Sequence, residues 1–417
     1  MWDPYAEFEQ ITLNNGLEVY ALKWPNASWQ RVGFVVRAGA AFDPMGFEGL
    51  SHFLEHMVSV NGDMTPNEMH KFFGDAGGEV NFGTTGDFDT HYHFKVPSEE
   101  EWLPQALEIF GSMLVNATIK NGLEKERGAI TSEFALKFPS PYFFDLAMKP
   151  KQMLFPGYWM GRLQTAIGRQ EVIQTIQLPD LQAHYDALYH PANIKVVGVG
   201  ERSVRELAEI LCEGPFGIDK PAKRPSLQTA AIQPKPLSEK YQRVSISEIV
   251  SAKVDSGRYR SESALPCVSN RAMPSILDNM LGEKLFEQLR AQRGWAYDVD
   301  VDLRDYRTCT GLTISSSGIP FDVLEEVDMV VQKCIDSLSE SEASFEETKR
   351  HGVANERLRE FSSLGVLGRM ASSLSKEEPV LSQEKWIDTI AEASFDEMRN
   401  LLSFLSDEYR FRTIYTK

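Results

Sequence analysis

The segment GLSHFLEHMVS (residues 49–59) places His52 and His56 four residues apart, with Glu55 between them. Helical spacing gathers Leu50, Phe53, Leu54 and Met57 into an apolar stripe and leaves His52, Glu55 and His56 together on another face. Two imidazoles one turn apart can bind one metal ion, for which zinc is the natural candidate. A carboxylate beside that ion can take a proton from water as the water attacks a carbonyl. The competing reading is a hydrogen-bonded pair of core histidines with a surface glutamate. A catalytic tetrahedral zinc takes three protein ligands and keeps its fourth position for water. LEKERGAITSEFALKF (residues 123–138) offers candidates for the third: as a helix it sets Glu126 and Glu133, seven apart, on one face, so that one can ligate while the other supports the site. Cys212, Cys267, Cys309 and Cys334 are scattered without a CxxC pair, which points away from a thiolate zinc site and from a disulfide framework.

These residues need a scaffold. A chain of 417 residues, 42% hydrophobic and 25% charged, fits a soluble globular protein of two or more domains. A Pro- and Gly-rich break at GPFGIDKPAKRPSLQTAAIQPKPLSEKY divides it into residues 1–213, a linker over 214–240, and residues 241–417. The two halves repeat one plan. A single ungapped offset of 223 positions lays Pro97 on Pro320, EKERGAITSE on ETKRHGVANE and HFLEHM on SILDNM, which indicates an internal duplication. In each half a strand, a proline and an amphipathic helix follow one another, with Ser98 and Glu101, and then Asp322 and Glu325, as the expected helix caps. Strands come in consecutive pairs, so each copy is expected to be α+β, a mostly antiparallel sheet with helices packed on one face. The second copy has Ser275, Asp278 and Asn279 where the first has His52, Glu55 and His56, so the expected catalytic metal site belongs to the first copy alone.

HFLEHM, followed 77 residues after its second histidine by Glu133 in KERGAITSEF, resembles the inverted-zincin M16 metallopeptidases. GGEVNFGTTGDFDTHYHF (residues 77–94) is similar to the family's GGxxNAxTxxxxTxY segment, and the length matches its short two-domain subunits. The resemblance implies one Zn2+ per chain held by His52, His56 and Glu133, with Glu55 as general base and Glu126 as a second acidic residue orienting the site. It also implies that substrate pairs as a strand beside residues 79–85, where Asn81 contacts it. LFEQLRAQRGWAYDV (residues 285–299) resembles the family's LRxxxxxxY segment, which implies that Arg290 and Tyr297 hold substrate backbone. Phe82 and Gly83 depart from the family's usual Ala after the Asn, which bears on subsite shape. The long Gly-rich loop of the noncatalytic processing-peptidase subunit is not found.

The expected function is therefore a zinc-dependent endopeptidase acting on extended peptides or unfolded segments. Its rival is a noncatalytic or heteromeric partner subunit of the same family. The long relatives close four such domains into a clamshell, so a two-domain chain is expected to form a homodimer whose sites are completed in trans, a heterodimer with a related subunit being the other form. The net charge of −17 argues against nucleic acid as a partner. No run approaches the roughly 18 apolar residues of a membrane span. The segment MWDPYAEFEQITLNN has no basic stretch leading into an apolar one, so a secretory signal is not expected and a cytoplasmic location is.

Overall fold

The computed structural model describes residues 2–99, 101–138, 140–163, 165–220, 225–227, 231–245 and 256–417. The chain forms two compact units, and each takes residues from both halves of the sequence. The first contains residues 1–137, 165–227 and 360–382, the second 138–164, 228–359 and 383–417.

The first unit is built on a six-stranded sheet of β1 (Glu9–Thr12), β2 (Glu18–Lys23), β3 (Trp29–Val36), β4 (Glu79–Thr85), β5 (Thr90–Pro97) and β6 (Ile194–Gly200), in the order β1-β2-β6-β3-β5-β4. The second has β7 (Tyr241–Ser245), β8 (Gly257–Leu265), β9 (Asp298–Asp305), β10 (Thr310–Ile319) and β11 (Arg410–Thr416), in the order β7-β11-β8-β10-β9. Removing β1 makes the two orders superimpose, down to a single parallel contact in each, β2 with β6 and β7 with β11. All other neighbours are antiparallel. The expected α+β duplication is the observed fold, with the difference that helices were expected on one face only and the first sheet is covered on both.

Helices cover the sheets as apolar patterning requires, and the central strands, buried on both faces, read as near-continuous apolar runs such as IKVVGVG in β6. In the first unit Phe34 of β3 stacks on Phe110 of the helix Trp102–Leu114 at 5.2 Å. On the opposite face lies a helix from the other half of the sequence, Ser363–Ser375, whose Val366, Leu367, Met370 and Leu374 pack with Val197 and Val199. A side chain in place of Gly33 would come within 2.9 Å of Leu367. The second unit does the converse: helix Pro141–Leu154 places Leu154 against Ala264 and Phe411, and its Leu146 carbonyl accepts from Gln242 Nε2 at 2.9 Å. These two helices lie at nearly the same place in the two copies, 223 residues apart to within two, so each sheet is covered by its sister's helix.

The expected caps are not formed. The helices begin at Trp102 and Leu324, after Glu101 and Val323, and neither has a side-chain cap. Ser98 instead prolongs β5, donating its N–H to the Ser28 carbonyl at 3.0 Å, and a turn from Pro320 to Val323 takes the place of the second cap. Parts of the expected linker, residues 221–224 and 228–230, lie outside the described residues. Its described parts pack: Phe216 stacks on Phe34 within the first unit, while Ile232 and Leu237 are buried in the second.

Candidate metal and catalytic site

His52, Glu55 and His56 stand on α1 (Leu50–Val60), and Glu126 and Glu133 on α2 (Leu123–Lys137). The apolar stripe of α1 is the buried one, with Phe53, Leu54 and Met57 fully enclosed. The helix enters through Gly49 at φ +102, where a Cβ would lie 2.5 Å from the Ile167 carbonyl, so a close backbone approach requires glycine there. Gly49 has no side chain to cap the helix, and Asp43 does so from the preceding loop, accepting from the N–H groups of Gly49 at 2.7 Å and Ser51 at 2.8 Å. Ser51 Oγ donates to the Gly39 carbonyl at 3.1 Å and lies 2.9 Å from His184 Nε2. Burial pushes the His184 imidazole down to about 4, so it stands neutral at pH 7 and bridges Ser51 without adding charge under the helix.

The two helices bring three donor atoms together. His52 Nε2 is 3.4 Å and His56 Nε2 4.0 Å from the same oxygen, Glu133 Oε2, and the three residues' ligand atoms all lie within 4.8 Å of one another. Donors about 2.0–2.2 Å from one tetrahedral ion are separated by roughly 3.3–3.6 Å; the His52–Glu133 distance lies in that range, the His56–Glu133 distance is wider, and the set matches zinc in its two nitrogens and one carboxylate. His52 Nδ1 is buried with no hydrogen-bond partner, while His56 Nδ1 lies 3.3 Å from Glu126 Oε2. Glu126 thus holds the far nitrogen of one imidazole, the arrangement in which an outer carboxylate orients a metal-binding histidine. Lys137, one turn beyond Glu133, donates to Oε1 at 2.7 Å and leaves Oε2 turned toward the histidines. Burial lowers the His52 imidazole to about 4, with His56 adding to the effect, so at neutral pH its nitrogen is free to bind a cation. Burial would raise the Glu133 carboxyl, but the Lys137 hydrogen bond and the neighbouring imidazoles outweigh it and hold the group below the usual range.

Glu55 sits apart from this trio. Its Oε2 accepts from Thr85 Oγ1 at 2.7 Å, and burial pushes its carboxyl up, opposed by that hydrogen bond and by His56. Gly83, at φ +152, allows the fit: a Cβ there would lie 2.4–2.7 Å from Glu55 side-chain atoms. A bulge between Asn81 and Thr84 carries the strand past the glutamate, and Asn81 Oδ1 accepts the Gly83 N–H at 3.0 Å. Phe82 packs against His70, Phe73 and Phe110. Among the described residues β4 is an edge strand, with no partner strand on one side of its backbone. The sequence reading missed Thr85, Lys137 and the need for glycine at Gly83. The i, i+4 spacing of Glu133 and Lys137 was a readable signal; the other two depend on a contact between strand and helix.

In the second unit the structure brings Arg290 and Tyr297 together. Arg290 lies in the irregular turn Phe286–Ala291 that prolongs α3 (Met273–Leu285), where the Gln292 N–H reaches back five residues to the Glu287 carbonyl. Its guanidinium carbon is 5.6 Å from the Tyr297 ring centre and 5.3 Å from that of Phe286. Tyr297 is 73% exposed. The described residues of this unit contain no comparable group of metal-binding side chains.

Comparison with known proteins identifies the family. Residues 19–136 match the profile of insulinase, peptidase family M16, and residues 175–351 that of the peptidase M16 inactive domain. The chain is 23% identical over 399 residues to the uncharacterized zinc protease YmxG of Bacillus subtilis (strain 168), covering 92% of this chain and 90% of that protein. It is 32% identical over 130 residues to insulin-degrading enzyme-like 2 of Arabidopsis thaliana, a match spanning 30% of this chain and 13% of that much longer protein. A protease of Helicobacter pylori of known structure shares the fold, with a TM-score of 0.83 and 18% identity over 100% of both chains.

Proposed function

The chain belongs to peptidase family M16, and from that premise we propose that it is a zinc-dependent endopeptidase acting on extended peptides or unfolded segments. The observation that carries the reading is the convergence of His52 Nε2 and His56 Nε2 on Glu133 Oε2, with the half-buried Glu55 on the same helix as both histidines. Zinc held by these three residues supplies Lewis acidity toward a carbonyl oxygen and toward water. Glu55 takes the proton of the attacking water and delivers it to the leaving nitrogen. Its raised proton affinity suits both halves of that task, since a strongly acidic carboxyl would be a poor base. Glu126 fixes the His56 ring, and Lys137 fixes the Glu133 carboxylate. The free edge of β4 accepts the substrate backbone as an added strand, beside Asn81 and close to Glu55.

In this reading Arg290 and Tyr297 donate to a substrate carbonyl, and a second copy of the chain supplies them in a cytoplasmic homodimer. The exposure of Tyr297 and the stacking of Arg290 on it support a role toward a partner or substrate. The test is the purified protein with its metal content measured, set against a mixed peptide library beside Glu55→Gln. Zinc with cleavage, and zinc without cleavage in the variant, supports the proposal. Zinc without cleavage in the wild type would favour a partner subunit.

A further inference from the structure

The geometry points to Asn61 as the positioning residue that sets the second metal-bearing helix against the first, an inference that rests on the zinc reading above. Asn61 follows α1 directly and is 9% exposed. Its amide uses its whole hydrogen-bonding capacity: Nδ2 donates to the carbonyls of Met57 at 2.8 Å and Asn121 at 3.0 Å, and Oδ1 accepts from the N–H groups of Lys120 at 3.0 Å and Asn121 at 2.9 Å. Met57 adjoins His56, and Asn121 lies two residues before α2. One side chain therefore clasps the last turn of the histidine helix to the segment that launches the helix of Glu126 and Glu133.

The other ties between these helices are a close apolar approach beside the clasp and contacts further along α2. Gly122, at φ +83, backs onto Val60, where a Cβ would come within 3.0 Å of a methyl group. Arg127 lies over the Phe53 ring at 5.5 Å and donates to the carbonyls of Ile173 and Ile176, which steadies the middle of α2. The hydrogen bonds from Asn61 reach the start of α2 from the histidine helix, beside the Gly122–Val60 contact and the Ile119 N–H bond to Gln182 Oε1 at 2.7 Å. Leverage makes that start matter: at about 1.5 Å per residue Glu133 stands about 18 Å along the helix from Asn121. A tilt of about 2° there moves Glu133 by about 0.6 Å, beyond the roughly ±0.2 Å that a metal–ligand distance tolerates. At the equivalent position the second half has Lys284, whose ammonium lies 3.8 Å from Glu287 close by in the same helical stretch. The clasp accompanies the ligands.

The test is zinc affinity by chelator competition in the full-length wild type, Asn61→Ala and the near-isosteric Asn61→Asp, with kcat and KM on a peptide the wild type cleaves. Asn61→Ala should weaken zinc binding about 10- to 100-fold, the usual cost of losing an outer-shell residue. Asn61→Asp keeps the accepting oxygen, loses both donated bonds and should fall between. The loss of turnover should appear in kcat, with KM within about twofold. In a Glu126→Gln background Asn61→Ala should cost less than it does alone, because Asn61 sets the helix from which Glu126 reaches His56 and coupled residues are not additive. Unchanged zinc affinity in both folded variants, or full additivity with Glu126→Gln, would reduce Asn61 to a helix terminator and overturn the inference. A wild type that binds no zinc would overturn the zinc reading and this one together.

Discussion

Helix α1 with α2, and α3 with α4 (Glu342–Arg357), are the same pair of helices written twice. α1 begins at Leu50 and α3 at Met273, at the offset seen in the sequence, and both bury the same stripe, Phe53, Leu54 and Met57 in one and Ile276, Leu277 and Met280 in the other. The polar faces part company. In the first unit two imidazoles and a carboxylate converge. In the second, Ser275 and Asn279 border a cavity of about 300 Å³ with His351, Asn355 and Trp386, and the counterpart of Glu133, Glu356, is buried with Arg359 at 3.1 Å from its carboxylate. Asp278, at the place of Glu55, has its carboxyl raised by burial and then by Asp300 and Asp302, with no zinc-binding pair beside it. The lesson is that the buried stripe carries the fold and the polar face carries the chemistry. One can change without the other because the two faces are paired with different neighbours.

The comparison breaks most easily at Glu55. Glu55→Gln should keep its zinc and lose about 10²- to 10⁴-fold in kcat, the range for a general base, whereas Asp278→Asn should leave turnover unchanged. Both are measured as metal content and peptide cleavage. Next comes the division of labour between the halves. If the proposed homodimer with sites completed in trans forms, Glu55→Gln and Arg290→Ala, each nearly inactive alone, should recover about a quarter of wild-type activity when mixed and allowed to exchange, since about half the dimers would then carry one intact site. No recovery after exchange is verified by mass would place Arg290 in cis or in a different partner.

Smaller effects sharpen the picture. Gly83→Ala pushes a methyl group against Glu55 and should lower kcat about 10- to 100-fold with zinc retained, a misplaced catalytic group being costly even at small displacements. Thr85→Val removes one hydrogen bond to Glu55 and should cost about tenfold, in line with about 1.5 kcal/mol for a bond to a charged group. Smallest of all is Ser98→Ala, which should leave the melting temperature essentially unchanged because Ser98 caps nothing. Ser203→Ala, which removes a real capping box, should cost about 1 kcal/mol.

Much of this was legible because it is periodic or local. The i, i+4 histidines and the apolar stripe are features of neighbouring residues, the repeat is one of period, and the structure returns them as helix, core and twin sheets. Spacing left Glu126 and Glu133 as alternatives for the third ligand position, and in the structure Glu133 faces both Nε2 atoms while Glu126 reaches His56 Nδ1. The first cap failed because the Ser98 N–H bonds to the Ser28 carbonyl, 70 residues earlier and next to β3, and the second because a turn from Pro320 to Val323 precedes the helix. The exchanged helices Pro141–Leu154 and Ser363–Ser375 were unreadable for a like reason: an amphipathic helix advertises an apolar face without saying which sheet it will cover. Thr85 and Gly83 bear on Glu55 across a strand-to-helix contact, for which sequence spacing leaves no trace.

The most direct test of the contrast between the halves is zinc stoichiometry, measured by mass spectrometry of the metal in the purified wild type and in the variant His52→Ala with His56→Ala. One zinc per chain in the wild type and none in the variant is the result expected if the first half alone holds the metal. Two tightly bound equivalents, or zinc retained after both histidines are removed, would contradict it.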